Sequence, residues 1–564
     1  MDVTPGPSSS SSGDDSTRNS AAAPTRHETD ADLHSLLARL QLHFVHRSPK
    51  RMWLGRPMRV TFELALTHLR LHMQHEIDEP KKSKEKHHAK RLHRELLWQD
   101  VLGAHILTHD GEHLDRDQIN AALASDAAKT KSYLLGVFAC PAMAKRAAQG
   151  APDAWLKKRR LFEAFYQFQG AQLQDVVALR RWINYLADPR TASLLAKTAS
   201  IVALTPEELP ARKFLVIINP VGGAGKGVQT YESKVAPIFK YAGIDTTVEV
   251  TEHAGHATEI VTSMPLQHYD CVLPVGGDGS LSEITQGLMK RPDWNCAIRQ
   301  PIGIIPSGSG NGLSHSILHE CQERGKPINA AFVLAKGAAQ ELDITSVRNG
   351  KETMYSFLSL EWASIADVDV ISEKFRALGG LRFGLVYAHH ILFSKKEYPG
   401  SLWYLEDDLA TSQHEPSRYF ETHSPESTEY PPLDLIDEEN KANLGGTWKE
   451  VKGPFRLVWV MGITHAASDA IVAPSARFDD GYNYITIVDG SVPRKEFLSV
   501  LLALEDGAHV ERESVQYIRT RAYKVMPERH EDLLCVDGEV FEGPALECQV
   551  HRGLGRLITL PRAC

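Results

Sequence analysis

VGGDGSLSEITQGL, residues 275–288, follows directly on the apolar run CVLPV (271–275). Gly276, Gly277 and Gly279 surround one aspartate, Asp278, and a helix-like pattern begins at once. Glycine is placed where a chain turns tightly or where another group must come close. The Asp278 carboxylate is therefore either a helix cap or a chemical tool, and the flanking sequence has to decide.

Upstream, FLVIINP (214–220) is an apolar run bounded by Asn219-Pro220 and further glycines, the pattern of a strand buried on both faces. TTVEV, CVLPV and PIGIIP read as further strands. GKGVQTYESKVAPIFKYAG, HATEIVTSM, SLSEITQGLMKR and NGLSHSILHE read as the helices between them. Strand, glycine turn and helix in succession predict a doubly wound α/β domain that binds its ligand beyond the carboxyl ends of the strands. Three strand ends carry glycine turns: NPVGGAGKG (219–227), VGGDG (275–279) and PSGSGNGL (306–313). Each leads into a helix and can offer backbone N–H groups to an anion, so together they predict a nucleotide phosphate cradle. None is a P-loop, because the Gly-Lys of GAGKG is followed by Gly227.

Beside such a cradle Asp278 has two readings: it caps its own helix, or it accepts the proton of an attacking hydroxyl or holds magnesium in phosphoryl transfer. Glu283, five residues on, either points back to the nucleotide or faces solvent.

The 564 residues suffice for about three domains. Seven cysteines, with no CxxC pair, argue against a disulfide framework or a zinc module and for a reducing, cytoplasmic setting. A net charge of −8 argues against a nucleic-acid partner. No apolar run is long enough to span a bilayer, no start-of-chain apolar segment resembles a signal peptide, and the terminal PRAC is no prenylation signal, so any membrane contact is expected to be peripheral. Oligomeric state stays open. Residues 1–28 are rich in Ser, Pro, Gly and Ala and are expected to be a disordered tail. Residues 31–195 read as an N-terminal α+β region ending in a helix that contains Trp182. Its basic clusters, 81–94 and LKKRR (156–160), are expected to be solvated loops, with a membrane-surface patch as the alternative. Residues 402–450, polar and proline-rich, read as a long disordered insertion.

NPVGG, VGGDGSLSEITQGL, RPDW, PIGIIPSGSGN and SIADVDVISEKFRALGGLRF together resemble the sphingosine (long-chain base) kinases of the diacylglycerol kinase-like lipid kinase superfamily. GGDG is shared across that superfamily, whereas the ADVD…SEKFR…LRF block is particular to the sphingoid-base kinases. The resemblance covers most of 212–395 and resumes from about 455, with VDGE at 536–539. It implies a catalytic nucleotide-binding domain (212–340), then a β-sandwich lipid-binding domain (341–564), with ATP and Mg2+ as cofactors and a sphingoid base as acceptor. The region before 195 faintly resembles the pleckstrin-homology-like part of some related kinases.

The resemblance further implies individual roles. Asn219, Pro220, Val221, Gly222 and Gly223 match the first nucleotide loop. Thr251 and Glu252 open a second ATP-side stretch, in which Ala254 and Gly255 depart from the family's polar residues. Asp278, within Gly276, Gly277 and Gly279, matches the base that deprotonates the lipid's primary hydroxyl. Glu283 and Gly308, Ser309 and Gly310 match nucleotide-site positions, as do Arg376 and Arg382, whose planar guanidinium suits phosphate. Asp369 matches the carboxylate that receives the lipid's amine, and Ser359 the hydroxyl beside it. Asp537, Gly538 and Glu539 match a loop that returns to the nucleotide and its magnesium; on its own, VDGE reads as a hairpin turn. FGLVYAHHILF and FLSVLLAL read first as core and second as the lining of a lipid slot. Ceramide or diacylglycerol kinase, or an inactive lipid-binding scaffold, are the competing readings. Intact glycine turns and Asp278 favour the enzyme.

Overall fold

The computed structural model describes residues 33–75 with short gaps, 92–143, 155–372 apart from 309, 396–406, 416–436 and 447–561, with isolated positions from 374 to 394. The tail 1–28, residues 81–91 of the first basic cluster, Ser309, Arg376, Arg382 and most of FGLVYAHHILF lie outside the described residues.

The FLVII run becomes β8 (Arg212–Ile218), buried along almost its whole length because it has a parallel neighbour on either side. These are β9 (Ile244–Val250) and β10 (Cys271–Gly276), and β10 pairs in parallel with the short β11 (Ile305–Pro306). The order β9-β8-β10-β11 places the strand-order reversal between β8 and β10. The first two glycine turns leave the sheet at that crevice, where open α/β sheets bind ligands. The helices between are the helical segment over 227–241, α2 (His256–Ser263), α3 (Asp278–Met289), α4 (Gly312–Glu320) and α5 (Pro327–Lys336).

A two-sheet β lobe follows. One sheet runs β13-β12-β24-β21-β15-β16: β12 (Ala338–Arg348), β13 (Thr353–Ser356), β15 (Gly400–Glu406), β16 (Thr447–Lys452), β21 (Ala522–Pro527) and β24 (Leu546–Thr559). The other runs β20-β19-β17-β14-β22-β23: β14 (Ser359–Ala363), β17 (Phe455–Met461), β18 (His465–Ala467) lying outside it, β19 (Asn483–Asp489), β20 (Gln516–Thr520), β22 (Leu534–Val536) and β23 (Glu539–Val540). The α/β domain and the lobe share backbone pairing: Ile302 N donates to Arg556 O and Ile558 N donates to Ile302 O, at 2.9 and 2.8 Å. The boundary expected after residue 340 thus falls inside β12.

Two expectations are corrected. Residues 402–450 are not a wholly disordered insertion: β15 and β16 pair from Ser401↔Lys452 to Glu406↔Thr447, and 416–436 lies against the body of the protein. Tyr419, Leu433 and Ile436 are buried there, while Trp294 Nε1 donates to Thr428 O and Asn295 Nδ2 to Pro425 O. Isolated anchors hold this cover in place, so it carries no periodic apolar pattern to read. LKKRR is not a solvated loop either, because Arg159 is buried and donates to Asp100, Cys140 O and Glu323.

The N-terminal region is a seven-stranded antiparallel sheet in the order β4-β3-β2-β1-β7-β6-β5. Its strands are β1 (Leu42–Val45), β2 (Met58–Leu64), β3 (His68–His75), β4 (Leu92–Leu97), β5 (Val101–Thr108), β6 (Ser132–Ala139) and β7 (Phe162–Gln169). Helix α1 (Leu173–Ala187) packs Val176, Leu179, Trp182 and Ile183 into this core. Charged groups join the unit to the catalytic domain. Besides Arg159 with Glu323, the buried Lys336 ammonium at the end of α5 donates to the carbonyls of Trp98, Val101 and Ala187, and burial pulls it down to about 7.

Removing Arg159 leaves Glu323 buried without its cation, a change that typically costs about 3–5 kcal/mol. Arg159→Met is expected to lower the first calorimetric unfolding transition and to expose the N-terminal unit to limited proteolysis.

Candidate active site

Three backbone turns meet where the strands end. Ser307 N and Gly308 N both donate to Gly276 O, at 2.9 and 3.0 Å, and Asn219 N donates to Val275 O. A Cβ on Gly308 would sit 2.5 Å from Gly277 Cα, and one on Gly223, whose φ is +58°, 2.2 Å from Ser307 O. No side chain fits at either position, which is why the sequence carries glycine there. The Asn219 side chain shapes the first turn by accepting from Val221 N and Gly222 N, and its amide donates to Ser280 Oγ. Thr251 is tied to the end of β8 through Ile218 O, and Glu252 N donates to His256 Nδ1.

Asp278 does not cap its own helix: α3 starts after Gly277 with no side-chain cap. Its carboxylate crosses to the third turn instead, accepting from Gly312 N at 2.7 Å and Leu313 N at 3.1 Å at the start of α4. The anion at the α4 N-terminus is therefore this carboxylate, so those two N–H groups are not available to a phosphate. Asn311, at φ 61°, makes the left-handed step that presents them, a conformation Asn tolerates better than most residues. Asp278 is only 9% exposed. Burial pushes its pKa up, against the pull of the backbone donors. A carboxylate so placed is oriented, poorly hydrated and able to accept a proton. Gly310 lies beside it, a Cβ there falling 3.6 Å from Asp278 Oδ2. Glu283 is half-buried on α3, its carbonyl accepting from Thr258 Oγ1.

The β lobe reaches the same place through the β22–β23 hairpin. Asp537 and Gly538 take φ of 51° and 84°, as a two-residue hairpin turn requires. The Asp537 carboxylate is consumed within the lobe, accepting from Ser356 Oγ and from the N–H groups of Phe357, Leu358 and Ser359. Its side chain ties the loop down, leaving Glu539 as the loop's carboxylate beside the Asp278 turn. Burial lifts Asp537 to about 6 despite these donors. A Cβ on Gly279 would lie 3.7 Å from Glu539 Oε1, and one on Gly538 3.8 Å from Asp369 Oδ2. Neighbouring residues of one loop thus lie beside the Asp278 turn and Asp369.

Asp369 sits on α6 (Ser364–Ser372), which packs across β14 and β17. Ala363, at φ 69°, makes the sharp step from β14 into α6. Ser359 Oγ donates to Glu361 Oε1 at 3.4 Å. Glu361, 7% exposed, is a buried carboxylate beside Ser359 that sequence reading missed; a charged residue within the apolar strand SLEWA was the available signal.

Two outcomes are expected. The acid limb of the pH–rate profile for phosphate transfer lies above the ordinary aspartate value of about 3.9, because a protonated Asp278 cannot accept a proton and burial favours that form. Asp537→Ala frees four donors and lowers the melting temperature, while raising KM for nucleotide and acceptor together, since the loop carries both Gly538 and Glu539.

A diacylglycerol kinase catalytic domain model matches residues 213–347, and a YegS C-terminal NAD kinase beta sandwich-like domain matches 438–558. Sphingosine kinase 1 of Arabidopsis thaliana is 32% identical, the match covering 58% of this chain and 68% of that protein. Sphingosine kinase 1 of Mus musculus is 32% identical over 60% of this chain and 89% of that protein. Sphingoid long chain base kinase 4 of Schizosaccharomyces pombe is 28% identical over 62% and 75%. Similarity of this extent, running through the glycine turns and the lobe that meets them, shows that the chain belongs to the sphingosine kinase family, within the diacylglycerol kinase-like superfamily.

Proposed function

We propose that the chain transfers the γ-phosphoryl group of ATP to the primary hydroxyl of a sphingoid long-chain base, giving the 1-phosphate. The observation that carries this reading is the single loop that has Glu539 beside the Asp278 turn and Gly538 beside Asp369. In a sphingoid base the reacting hydroxyl and the ammonium group are on adjacent carbons. Two carboxylates on either side of one loop suit that pair, Asp278 as the base for the hydroxyl and Asp369 as the partner of the ammonium through a charge-assisted hydrogen bond. Ceramide carries a neutral amide there and diacylglycerol carries no nitrogen, so neither gains from Asp369.

The glycine turns at 219–223, 276–279 and 307–310 form the phosphate side of the cleft, where backbone closeness serves positioning, the main demand of phosphoryl transfer. Glu539, the hairpin carboxylate beside the Asp278 turn, is an oxygen donor of the kind magnesium prefers and would help hold the ion, which when bound would supply charge neutralisation on the phosphates. Ser359 lies beside the head group.

Peripheral contact with a membrane from the cytoplasmic side fits two features. On the helix Arg494–Leu502, Phe497 and Val500 are core, while Leu498 and Leu502, one turn apart, are 45% and 70% exposed. The order of the N-terminal sheet and its closing helix α1 support the pleckstrin-homology-like reading of that unit. No helix among the described residues is long and apolar enough to cross a membrane.

Labelled-ATP assays with sphingosine, ceramide and diacylglycerol test the reaction. Transfer to sphingosine alone is expected. Asp278→Asn should reduce it at least about 100-fold, the usual contribution of a general base. Asp369→Asn should act mainly by raising KM for sphingosine, about tenfold or more. Equal transfer to diacylglycerol, or an unchanged KM in Asp369→Asn, would overturn the amine reading.

A further inference from the structure

The face of the lobe sheet that is turned away from the other sheet and covered by α6 carries a row of polar side chains. Glu361 on β14 is paired directly with Trp459 on β17, and Trp459 with Thr486 on β19. Directly opposed residues share a face of the sheet. All three are buried, and Glu361 Oε2, Trp459 Nε1 and Thr486 Oγ1 have no hydrogen-bond partner among the described residues. Nearly all buried polar atoms in folded proteins are paired, and leaving one unpaired is costly. The Glu361 carboxyl and the Trp459 indole lean towards each other without closing a hydrogen bond, so the row leaves polar capacity open at the acceptor end of the cleft.

The surroundings define that partner. Burial, and next the charge of nearby Asp369, push Glu361 well above the ordinary carboxylate range. The Ser359 hydroxyl and the Trp459 indole N–H pull the other way, the indole without closing a hydrogen bond. Burial and the neighbouring Asp369 disfavour a second negative charge at Glu361, and a carboxyl in its protonated form can both donate and accept, whereas Asp369 is the group placed for a cation. With a second negative charge disfavoured there, a hydroxyl suits the adjoining Ser359 and Glu361 oxygens better than a second ammonium does. Ser359 and Glu361 are two residues apart on one strand, hence on the same face, and their side-chain oxygens approach to 3.4 Å. Hydroxyls on adjacent carbons present a pair of oxygens at similarly close quarters.

We propose that Glu361 is a specificity-determining residue for the acceptor: with Ser359 it reads two hydroxyls on adjacent carbons next to the amine, so that the enzyme prefers long-chain bases hydroxylated at the fourth carbon. This deepens the kinase reading and rests on it for the pose of the lipid. Held at the first carbon by Asp278 and at the second by Asp369, the base runs along β14 with its third carbon beside Ser359 and its fourth beside Glu361. A site built to hydrogen-bond a substrate hydroxyl discriminates against the analogue that lacks it, because its own buried polar groups are then left unpaired.

The test compares 4-hydroxysphinganine with sphinganine, which differ only in that hydroxyl, on the full chain as wild type, Glu361→Gln and Glu361→Leu. Wild type is expected to favour the 4-hydroxy base about tenfold in kcat/KM, equivalent to about 1.4 kcal/mol. Glu361→Gln, which keeps a donor and an acceptor, should retain most of the preference. Glu361→Leu should bring the ratio to about one, with turnover of sphinganine reporting that the fold and the chemistry survive. A wild-type ratio of one, or a preference that persists in Glu361→Leu, would overturn the proposal. Should Glu361→Leu fail to fold, the wild-type and Glu361→Gln ratios still decide. Absence of transfer to either base would instead sink the kinase reading, and equilibrium binding of the two bases to the same three proteins would then settle the specificity claim separately.

Discussion

Two backbone hydrogen bonds, from Gly312 N and Leu313 N to Asp278, organise the centre of this protein. They join the turn after β10 to the helix that follows β11, so one carboxylate fixes two of the three glycine turns relative to each other. Burial raises the energy of the ionised carboxylate, while the backbone donors and the α4 dipole lower it. The opposition of these effects suits a group proposed to take up a proton. It also explains why the turns are so short of side chains: a Cβ at Gly308 or Gly223 would drive the loops apart and carry Asp278 away from its donors.

The β lobe supplies what this arrangement lacks. Its hairpin is held by a second buried carboxylate, Asp537, that gathers four donors from the β13–β14 connection. Asp278 and Asp537 look alike in sequence, each an aspartate next to glycine in a turn, and they differ in what their donors accomplish. The Asp537 donors come from the lobe's own preceding turn and make the carboxylate a tie. The Asp278 donors come from the neighbouring glycine turn of the α/β domain and leave it at the proposed meeting point of nucleotide and acceptor. The pairing of Ile302 with β24 completes the frame, because it holds the lobe at a fixed setting against the nucleotide sheet.

The N-terminal unit is fastened by charge as well as by apolar packing. Arg159, Glu323 and Asp100, together with Lys336 and its three carbonyls, are buried at the junction. Such groups are costly unless fully paired, so they favour one docked arrangement over many. In sequence Arg159 stands in LKKRR among residues of identical charge, and nothing local distinguishes it from a solvated neighbour. Only the fold brings it to Glu323, 164 residues away.

The sequence by itself determined the α/β order of strands and helices in 214–320, because a fully buried parallel strand must be continuously apolar and tight turns must be glycine, and both rules act over a few residues. It also determined the family, through motifs that are contiguous in the chain. Tertiary structure alone decided which donors Asp278 accepts, that Asp537 is a tie, that Glu361 joins Ser359 and Asp369, and that 416–436 is anchored cover. Each of these depends on contacts between segments far apart in sequence, where burial and pairing, rather than local pattern, set the outcome.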